Sequence, residues 1–150
     1  CDSLVTQKFL RDDGQFAPIV SSASSAVTTL LTKSTTAAIN LSSTATTFTG
    51  PSVAQGTAGV WLAIGNVTIT DSAASNQTFC KLWDGTTIID SGEARVTAIN
   101  APVTISLSGV ISSPAGNINI SCVSNSANAI IAADLFGYAH DSTITVMRIG

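Results

Sequence analysis

Charged side chains are scarce in this sequence. Only 10% of its 150 residues are Asp, Glu, Lys or Arg, against about 25% in typical soluble domains. Serine and threonine supply much of the polarity instead. A chain with so few charges covers its outside with hydroxyls and amides or buries part of it against other subunits, and we expect both here.

The charges that are present exclude two kinds of partner. The formal net charge is −3, and the six basic residues stand singly along the chain, so nucleic-acid binding has no electrostatic support. The longest apolar stretch, from Ala127 to Ala139, is too short to span a membrane and is interrupted by Asp134. We therefore predict a protein that neither binds nucleic acid nor inserts into a membrane.

Residues that catalytic sites use are also few. His140 is the only histidine and Glu93 the only glutamate. Asp141 is adjacent to His140, and neighbouring residues on a strand point to opposite faces, so the two would not form a dyad. No paired carboxylates suited to glycoside hydrolysis, nucleophile elbow, P-loop or dinucleotide motif occurs. The sequence predicts a protein that is not an enzyme, with no catalytic residues and no cofactor.

Metal ligands are equally sparse. The three cysteines show no CxxC spacing, and with one histidine a zinc site is not expected. Three aspartates at predicted turns are better explained by turn capping than by calcium binding: Asp71, Asp84 and Asp90. We predict no metal site.

What the chain does contain is alternation of apolar and polar residues. From Gly59 onward, β-branched residues recur at every second position, for example over 103–108, 117–122 and 143–146. Turn signals such as Asp84-Gly85 separate these runs at intervals of roughly 8 to 12 residues, the spacing typical of a sandwich or jelly roll. The predicted fold is all-β, a β-sandwich or jelly roll.

The chain divides into three segments of different composition. Residues 1–20 hold a cluster of charges and a turn signal, and are predicted to be either an extended lead-in or attachment segment or a short hairpin. Residues 21–58 are rich in Ser, Thr and Ala and are either strands or linker. Residues 59–150 are the predicted core of the sandwich. Residues 21–58 either belong to this core or form a linker that leads into it.

One predicted strand is apolar on both faces. A strand in a single sandwich needs only one apolar face, yet all five residues from Val60 to Ile64 are apolar. The second face is covered either by a loop of the same chain or by a neighbouring subunit. We predict a homotrimer whose interface includes Val60, Leu62 and Ile64, with Trp61 buried.

Trp83 is the candidate ligand contact. It lies just before the Asp84-Gly85 turn, and binding residues concentrate near loops. Exposed tryptophans can stack on sugar rings, so host surface glycans are the partner that this residue suggests. The alternative is a structural residue at the end of a strand.

The three cysteines lie in different settings. Cys80 and Cys122 alternate with apolar residues on predicted strands, so they are either two buried thiols or a disulfide between strands. Cys1 stands in the lead-in, where the leftover thiol of an odd set is a candidate for an intermolecular disulfide. The alternative is that all three stay reduced.

Several stretches resemble the C-terminal β-domains of fibre, spike and decoration proteins of tailed bacteriophages. They are GVWLAIGNVTITDSA, KLWDGTTIIDSGEARV, VTISLSGVISSPAGNINISC and DSTITVMRIG, and the resemblance extends roughly from Gly59 to Gly150. The lead-in KFLRDDGQFAP is similar to the FLR-x-DG-x-F segment that often precedes such domains. The sequence departs from the resemblance at Cys80 and Cys122, where valine-like residues are expected.

The resemblance implies a β-domain of jelly-roll or tumour-necrosis-factor-like form, and it also implies a location and a task. The protein would be a trimeric virion structural protein on the outer surface of the particle, as a fibre, spike, collar or head decoration. Its lead-in would contact other virion proteins, and its tip would adhere to the host surface. The alternatives are a carbohydrate-binding or adhesin module of a bacterial surface protein and, less favoured, a fibre-borne depolymerase domain.

Overall fold

The computed structural model describes residues 8–10, 16–18, 29–41, 47–73, 76–135, 137 and 141–150. These residues form twelve strands and no helix, which confirms the all-β prediction. In chain order the strands are β1 (Lys8–Leu10), β2 (Phe16–Pro18), β3 (Leu30–Ser34), β4 (Ile39–Asn40), β5 (Phe48–Val53), β6 (Val60–Asp71), β7 (Asn76–Trp83), β8 (Ile88–Val96), β9 (Val103–Ser112), β10 (Ile118–Ser124), β11 (Ala129–Ile131) and β12 (Thr143–Arg148). No helix in the described ranges is long and apolar enough to cross a membrane.

Most strands belong to two antiparallel sheets. The small sheet has the order β5-β10-β7-β8, and the large sheet has the order β3-β12-β6-β11-β4, with β9 on the other edge of β6. β11 and β12 pair with successive parts of β6, over 69–71 and 61–66. β3 and β4 continue that pattern one strand further out. Thus β3 with β4, and β11 with β12, are two interrupted strands, and each sheet is four strands wide.

The pairing order identifies the fold as a jelly roll. The first strand of the sandwich (β3 and β4) pairs with the last (β11 and β12), β5 with β10, β6 with β9, and β7 with β8. Such nesting is what results when one long antiparallel hairpin is rolled into two facing sheets. The sandwich part of the fold prediction is therefore confirmed in its jelly-roll form.

The core lies between the two sheets and follows the period of two. In β7, the side chains of Thr78, Cys80 and Leu82 are buried in the core. Gln77, Phe79 and Lys81 alternate with them on the outer face and are more exposed. Trp61 is buried as predicted, and its indole Nε1 donates a hydrogen bond to the Ala58 carbonyl at 2.9 Å. Burial of the ring and a partner for its polar atom together explain why tryptophan fits this position.

The described residues between Leu30 and Val53 are divided between the two sheets. They supply β3 and β4 to the large sheet and β5 to the small one, and Leu41 and Val53 join the buried core. Outside the sandwich strands, β1 and β2 form a two-stranded antiparallel sheet in the lead-in, with Leu10 opposite Phe16.

The two sheets approach closely where β8 passes β9. The Asp90 carboxylate on β8 accepts a hydrogen bond from the Ser108 backbone nitrogen on β9 at 2.9 Å. A side chain added at Gly109 would meet Ile89 Cγ2 at 2.5 Å. The carboxylate thus satisfies a backbone N–H of the edge strand β9, so this N–H is not free to pair with a strand of another chain.

Gly65 generates a test of the packing between the sheets. A Cβ atom there would lie 2.5 Å from Ile120 Cδ1 and 3.1 Å from the Thr143 carbonyl oxygen, and Ile120 is fully buried. Because a β-branched side chain there would displace the buried Ile120 side chain and crowd a backbone oxygen, Gly65→Val should lower the free energy of unfolding by about 1–3 kcal/mol.

Urea denaturation measures the change. Asn66→Val is the matched control, since it places the same side chain on the exposed face of the same strand and should alter stability by less than about 0.5 kcal/mol. Equal effects of the two substitutions would contradict the close approach at Gly65.

Candidate functional site

The outer face of the small sheet carries the ligand candidate from the sequence. Phe79, Lys81 and Trp83 alternate along β7 and share this face. The strand pairing places Val123 opposite Phe79, Ser121 opposite Lys81 and Asn119 opposite Trp83 on β10. The register therefore assembles a surface from residues about 40 positions apart in the sequence.

Trp83 is held in one orientation by hydrogen bonds. Its Nε1 donates to Asn119 Oδ1 at 2.8 Å and to Ser121 Oγ at 2.9 Å, and Ser121 Oγ in turn donates to Asn119 Oδ1 at 2.8 Å. The Lys81 ammonium lies 3.3 Å from the centroid of the Trp83 ring, which is a cation–π contact. Lys81 thus covers one face of the Trp83 ring, so a sugar cannot stack on that face. The predicted ligand contact by Trp83 alone therefore becomes a hypothesis about the Lys81–Trp83 pair.

Sequence reasoning missed the part played by Lys81. The signal was available, because residues two apart on a strand share a face, but nothing in the chain indicated that β10 would supply the partners of the indole. Beside Lys81 the surface forms an open groove of about 230 Å³. Its lining includes Thr47, Phe79, Lys81, Ile88, Ser91 and Val123.

A disulfide lies beneath this surface. Cys80 on β7 and Cys122 on β10 are direct partners in the strand register and are joined by an S–S bond of 2.05 Å. Both are buried in the core. The structure thus brings the two cysteines together and ties the two strands that carry Lys81 and Trp83. Cys1 and His140 lie outside the described residues.

Asp84 anchors the turn next to Trp83. Its Oδ1 accepts hydrogen bonds from the backbone nitrogens of Thr86 and Thr87 at 2.9 and 2.7 Å, and its Oδ2 accepts one from Ala115 at 2.7 Å. Burial by itself would raise the pKa of Asp84, but these hydrogen bonds to the carboxylate outweigh it, so the pKa lies below the ordinary value. The residue therefore joins the β7–β8 turn to the turn that precedes β10.

Of the other two aspartates singled out in the sequence, Asp71 caps a turn, whereas Asp90 lies within β8 and not at a turn. Asp71 Oδ1 accepts a hydrogen bond from the Ala73 backbone nitrogen at 2.6 Å, and Asp90 bridges β8 to Ser108 as described above. No group of three or more His, Cys, Asp or Glu side chains that could hold a metal ion occurs in the described part of the chain.

The outer face of the large sheet carries the predicted subunit interface. Val60, Leu62 and Ile64 alternate along β6 with the buried Trp61 and Ala63. Val60 and Leu62 are half-buried, and Ile64 is 47% exposed. The three residues thus share one outward face, as the sequence pattern required.

The strand register extends this face beyond β6. Leu62 lies opposite Met147 on β12 and opposite Val110 on β9, and Met147 lies opposite Leu30 on β3. Four apolar side chains therefore form one row across four strands, spaced about 4.8 Å apart. Leu30 is 60% exposed and Val110 55%. The sequence did not reveal this row because its members are brought together only by pairing between distant strands.

The same face lacks charge. The residues of β6, β9 and β12 that share it are aliphatic, Met, Ser, Thr or Asn. The hydroxyl groups flank the apolar row, and Thr32 and Thr145 hydrogen-bond across β3 and β12 at 3.0 Å. The row Leu30, Met147, Leu62 and Val110, together with Ile64, is called the apolar face below.

Fold and surfaces together define a jelly-roll module with an apolar face on one sheet and, on the other, an open groove on a face that carries both Lys81 and Glu93. No protein-family model matches the chain, and no curated protein matches it. Among solved structures, the chain is similar to the C-terminal CBM6 of LamC, a marine laminarinase from Zobellia galactanivorans, at 12% identity and a TM-score of 0.37, over 80% of this chain and 100% of that one.

Viral proteins are also among the similar structures. The VP2 protein of infectious bursal disease virus, in derived T=1 particles, is 15% identical with a TM-score of 0.43, over 93% of this chain and 35% of VP2. The VP2 subviral particle of the same virus is 16% identical with a TM-score of 0.39, over 81% of this chain and 33% of VP2. The chain thus spans about a third of VP2. At these values the similarities assign the chain to no family, and the resemblance to tailed-phage fibre domains stays a prediction.

The disulfide leads to a test of stability. It closes a loop with a sequence separation of 42 residues, and a cross-link of that length should stabilise the folded state by about 4 kcal/mol by restricting the unfolded chain. Cys80→Val combined with Cys122→Val keeps apolar side chains at both positions and should lose that amount in urea denaturation.

Dithiothreitol supplies the control for this measurement. The reductant should lower the stability of the wild type once the buried bond is reduced, and should leave the double variant unchanged. A wild type whose unfolding midpoint is the same with and without complete reduction would contradict the role of the bond.

Asp84 leads to a test with pH. Asp84→Asn replaces a carboxylate that accepts three backbone hydrogen bonds, and should cost about 1–3 kcal/mol at pH 7. Because the folded-state pKa lies below the ordinary value of 3.8, the ionised carboxylate contributes its full stability above that value. The contribution is lost as the pH falls through the lower folded-state pKa.

The difference in unfolding free energy between wild type and Asp84→Asn should therefore be constant near neutrality and shrink below about pH 3.8. Urea denaturation between pH 7 and 2.5 measures it. A difference that stays the same over the whole range would show that the charge of Asp84 does not stabilise the turn.

Proposed function

We propose that the protein is a non-enzymatic structural and adhesive module of a tailed-phage particle, assembled as a homotrimer on the outer surface of the virion. The position would be that of a fibre, spike, collar or head decoration. The observation that carries the proposal is the uncharged apolar face of the large sheet. The fibre-domain resemblance of residues 59–150 and of the lead-in supports the phage setting.

The exposure of the apolar face favours association. Leu30, Ile64 and Val110 are each about half or more exposed, and they lie side by side with Leu62 and Met147. Monomeric proteins rarely display contiguous apolar patches of more than a few hundred Å², and each Å² removed from water contributes about 25 cal/mol. Covering this face therefore stabilises an assembly.

The absence of charge favours a further copy of the same chain as the cover. An acidic or basic partner would find no complement among the outward residues of β6, β9 and β12. An uncharged surface of Ser, Thr and aliphatic residues meets such a face without burying unpaired charges. This chain, with only 10% charged residues, offers surfaces of that kind.

A trimer would repeat the grooved face of the small sheet three times. Weak contacts at each copy would then combine through avidity on a host surface that carries repeated glycans. The lead-in with its β1–β2 hairpin would contact other virion proteins, with Cys1 available for an intermolecular disulfide. These parts of the proposal involve no cofactor, no nucleic acid and no membrane insertion.

The rival proposal is a carbohydrate-binding or adhesin module of a bacterial surface protein. The groove beside Lys81 favours this rival, because one chain supplies the whole lining and the groove could bind a ligand without assembly into a trimer. The two proposals differ in oligomeric state: a monomer with glycan affinity supports the rival, and a stable trimer supports the virion protein.

Substitution within the apolar face tests the assembly. The wild type should sediment as a trimer at micromolar concentration. Ile64→Asp with Val110→Asp should dissociate it, because both side chains are largely exposed in the single chain and the new charges would be buried in the interface. Retention of the β-sheet circular dichroism spectrum would show that the dissociated chains are folded.

Ile99→Asp is the control, since Ile99 is 61% exposed and is not part of the apolar face; this variant should stay trimeric. Sedimentation of the wild type as a monomer at micromolar concentration would refute the homotrimer. An unchanged trimer in the double variant would refute the assigned interface.

A further inference from the structure

A polar cleft of about 370 Å³ lies where several connections meet at one end of the large sheet. Its volume falls within the roughly 300–1,000 Å³ of sites for small ligands. The β6–β7, β8–β9 and β10–β11 connections and the end of β4 all contribute to it. Its lining includes Asn40, Thr70, Ser72, Asn100, Asn128 and Ile130, and it is called the loop cleft below.

Three strands of the large sheet form one part of the loop cleft. Ile130 on β11 lies opposite both Asn40 on β4 and Thr70 on β6. The neighbouring Ile69 and Ile131 are buried in the core, so the row of three points outward. Thr70 is only 6% exposed, and its hydroxyl has no hydrogen-bond partner among the residues that the structure describes. A ligand hydroxyl can satisfy such a group.

Three primary amides surround this row. The side chains of Asn40, Asn100 and Asn128 are exposed, and no hydrogen bond to the protein occupies them in the described ranges. Each amide offers two N–H donors and a carbonyl acceptor. A sugar hydroxyl both donates and accepts, so a set of free amides beside the hydroxyls of Thr70 and Ser72 is complementary to a polyhydroxylated ring.

Backbone contacts hold the amide-bearing loops in place. The Asn100 backbone nitrogen donates a hydrogen bond to the Asp71 carbonyl at 2.7 Å, and Asn100 has a φ of 58°, a left-handed conformation that asparagine tolerates. The Asn128 backbone nitrogen donates to Ser126 Oγ at 3.2 Å. Because these loops are anchored before a ligand arrives, less freedom is lost on binding.

The lining of the loop cleft carries no charge. Asp71 lies on the core side of β6, is 1% exposed, and has its carboxylate hydrogen-bonded within the protein. An ionic ligand would therefore find no counter-charge in the lining and would lose part of its hydration without compensation. Ile130 and Ala127 add apolar surface, against which the C–H face of a sugar ring can pack. The chemistry of the lining thus favours a neutral sugar.

The loop cleft lies beyond the apolar face on the same side of the large sheet. Thr70 and Ile64 both point outward from β6 and are six residues apart, a distance of about 20 Å along an extended strand. Association through the apolar face would therefore leave the loop cleft at the margin of the interface.

We propose that the loop cleft binds a sugar residue of a neutral polysaccharide. The amides of Asn40, Asn100 and Asn128 hydrogen-bond the ring hydroxyls, the Thr70 hydroxyl gains a partner, and Ile130 contacts the apolar side of the ring. The inference rests on the adhesive part of the proposed function and names its binding site and ligand class.

An array of bacterial surface polysaccharides tests the inference, with neutral and acidic polymers side by side. The wild-type protein should be retained by neutral polymers in preference to acidic ones, and equally at low and high salt, because no ion pair is involved. Asn100→Gly combined with Asn128→Ala should weaken this binding by at least about tenfold, since it removes two hydrogen-bonding amides. Glycine accepts the φ of residue 100 without strain.

Asn117→Ala is the matched control. It removes an exposed amide from the β9–β10 turn at the opposite end of the sandwich and should bind as the wild type does. Phe79→Ala, which alters the groove on the small sheet, should also leave binding unchanged. Circular dichroism shows whether each variant keeps its fold.

Three results would overturn the inference. They are retention of no neutral polymer, a preference for acidic polymers that weakens with salt, and unchanged binding by the Asn100→Gly, Asn128→Ala variant. Loss of binding in Phe79→Ala alone would place the sugar in the groove of the small sheet and would also overturn it.

Sedimentation of the same samples separates this inference from the assembly proposed above. A trimer that binds no neutral polymer refutes the loop cleft as a sugar site and leaves the assembly in place. A monomer that binds neutral polymers through Asn100 and Asn128 refutes the assembly and leaves the sugar site in place.

Discussion

The structure depends on β6, a central strand that is apolar on both sides. A strand directs successive side chains to opposite faces, so the run from Val60 to Ile64 needs cover on two sides at once. The small sheet covers one side, where Trp61 and Ala63 are buried. Because the jelly roll has only two layers, the other side is left facing outward, and β9, β12 and β3 extend it into the apolar face.

The two faces of the small sheet have different roles. Its inner residues complete the core, and its outer face carries the hydrogen-bonded group of Trp83, Asn119 and Ser121. The pairing of β7 with β10 places Cys80 against Cys122 on the inside and Trp83 against Asn119 on the outside. One register therefore fixes both the covalent link and the orientation of the indole. Asp84 strengthens the same region by joining the two neighbouring turns.

The two faces fit the two parts of the proposed function. An uncharged, apolar face meets a similar surface without burying unpaired charge, which suits assembly from identical chains. The groove on the outer face of the small sheet is open to a ligand. Since the faces belong to opposite sheets, assembly through one leaves the other open. Separation of this kind is what an adhesive particle protein requires, because binding sites that are used up in assembly cannot contact a host.

The sequence by itself determined the fold class and the burial of individual strands. Alternation in β6, β9, β10 and β12 is local, and so are turn signals such as Asp84-Gly85, because each depends on neighbouring residues and on the period of two. The expectation that the protein is not an enzyme also came from composition, and it stays a prediction. For residues 30–53 the sequence did not distinguish strands from linker, since Ser, Thr and Ala fit an edge strand and a linker equally well.

Only the tertiary structure decided which strands became neighbours. Leu30, Leu62, Val110 and Met147 form one row because three separate registers align them, and Lys81 meets the fixed ring of Trp83 because β10 supplies the partners of the indole. The register between distant strands is set by which alignment buries the apolar residues of the whole core, weighed against the entropy of closing the long loops between them. No short stretch of residues therefore determines it. The sequence therefore specified the strands and their buried faces, while the pairing of distant strands assembled the groove and the apolar face.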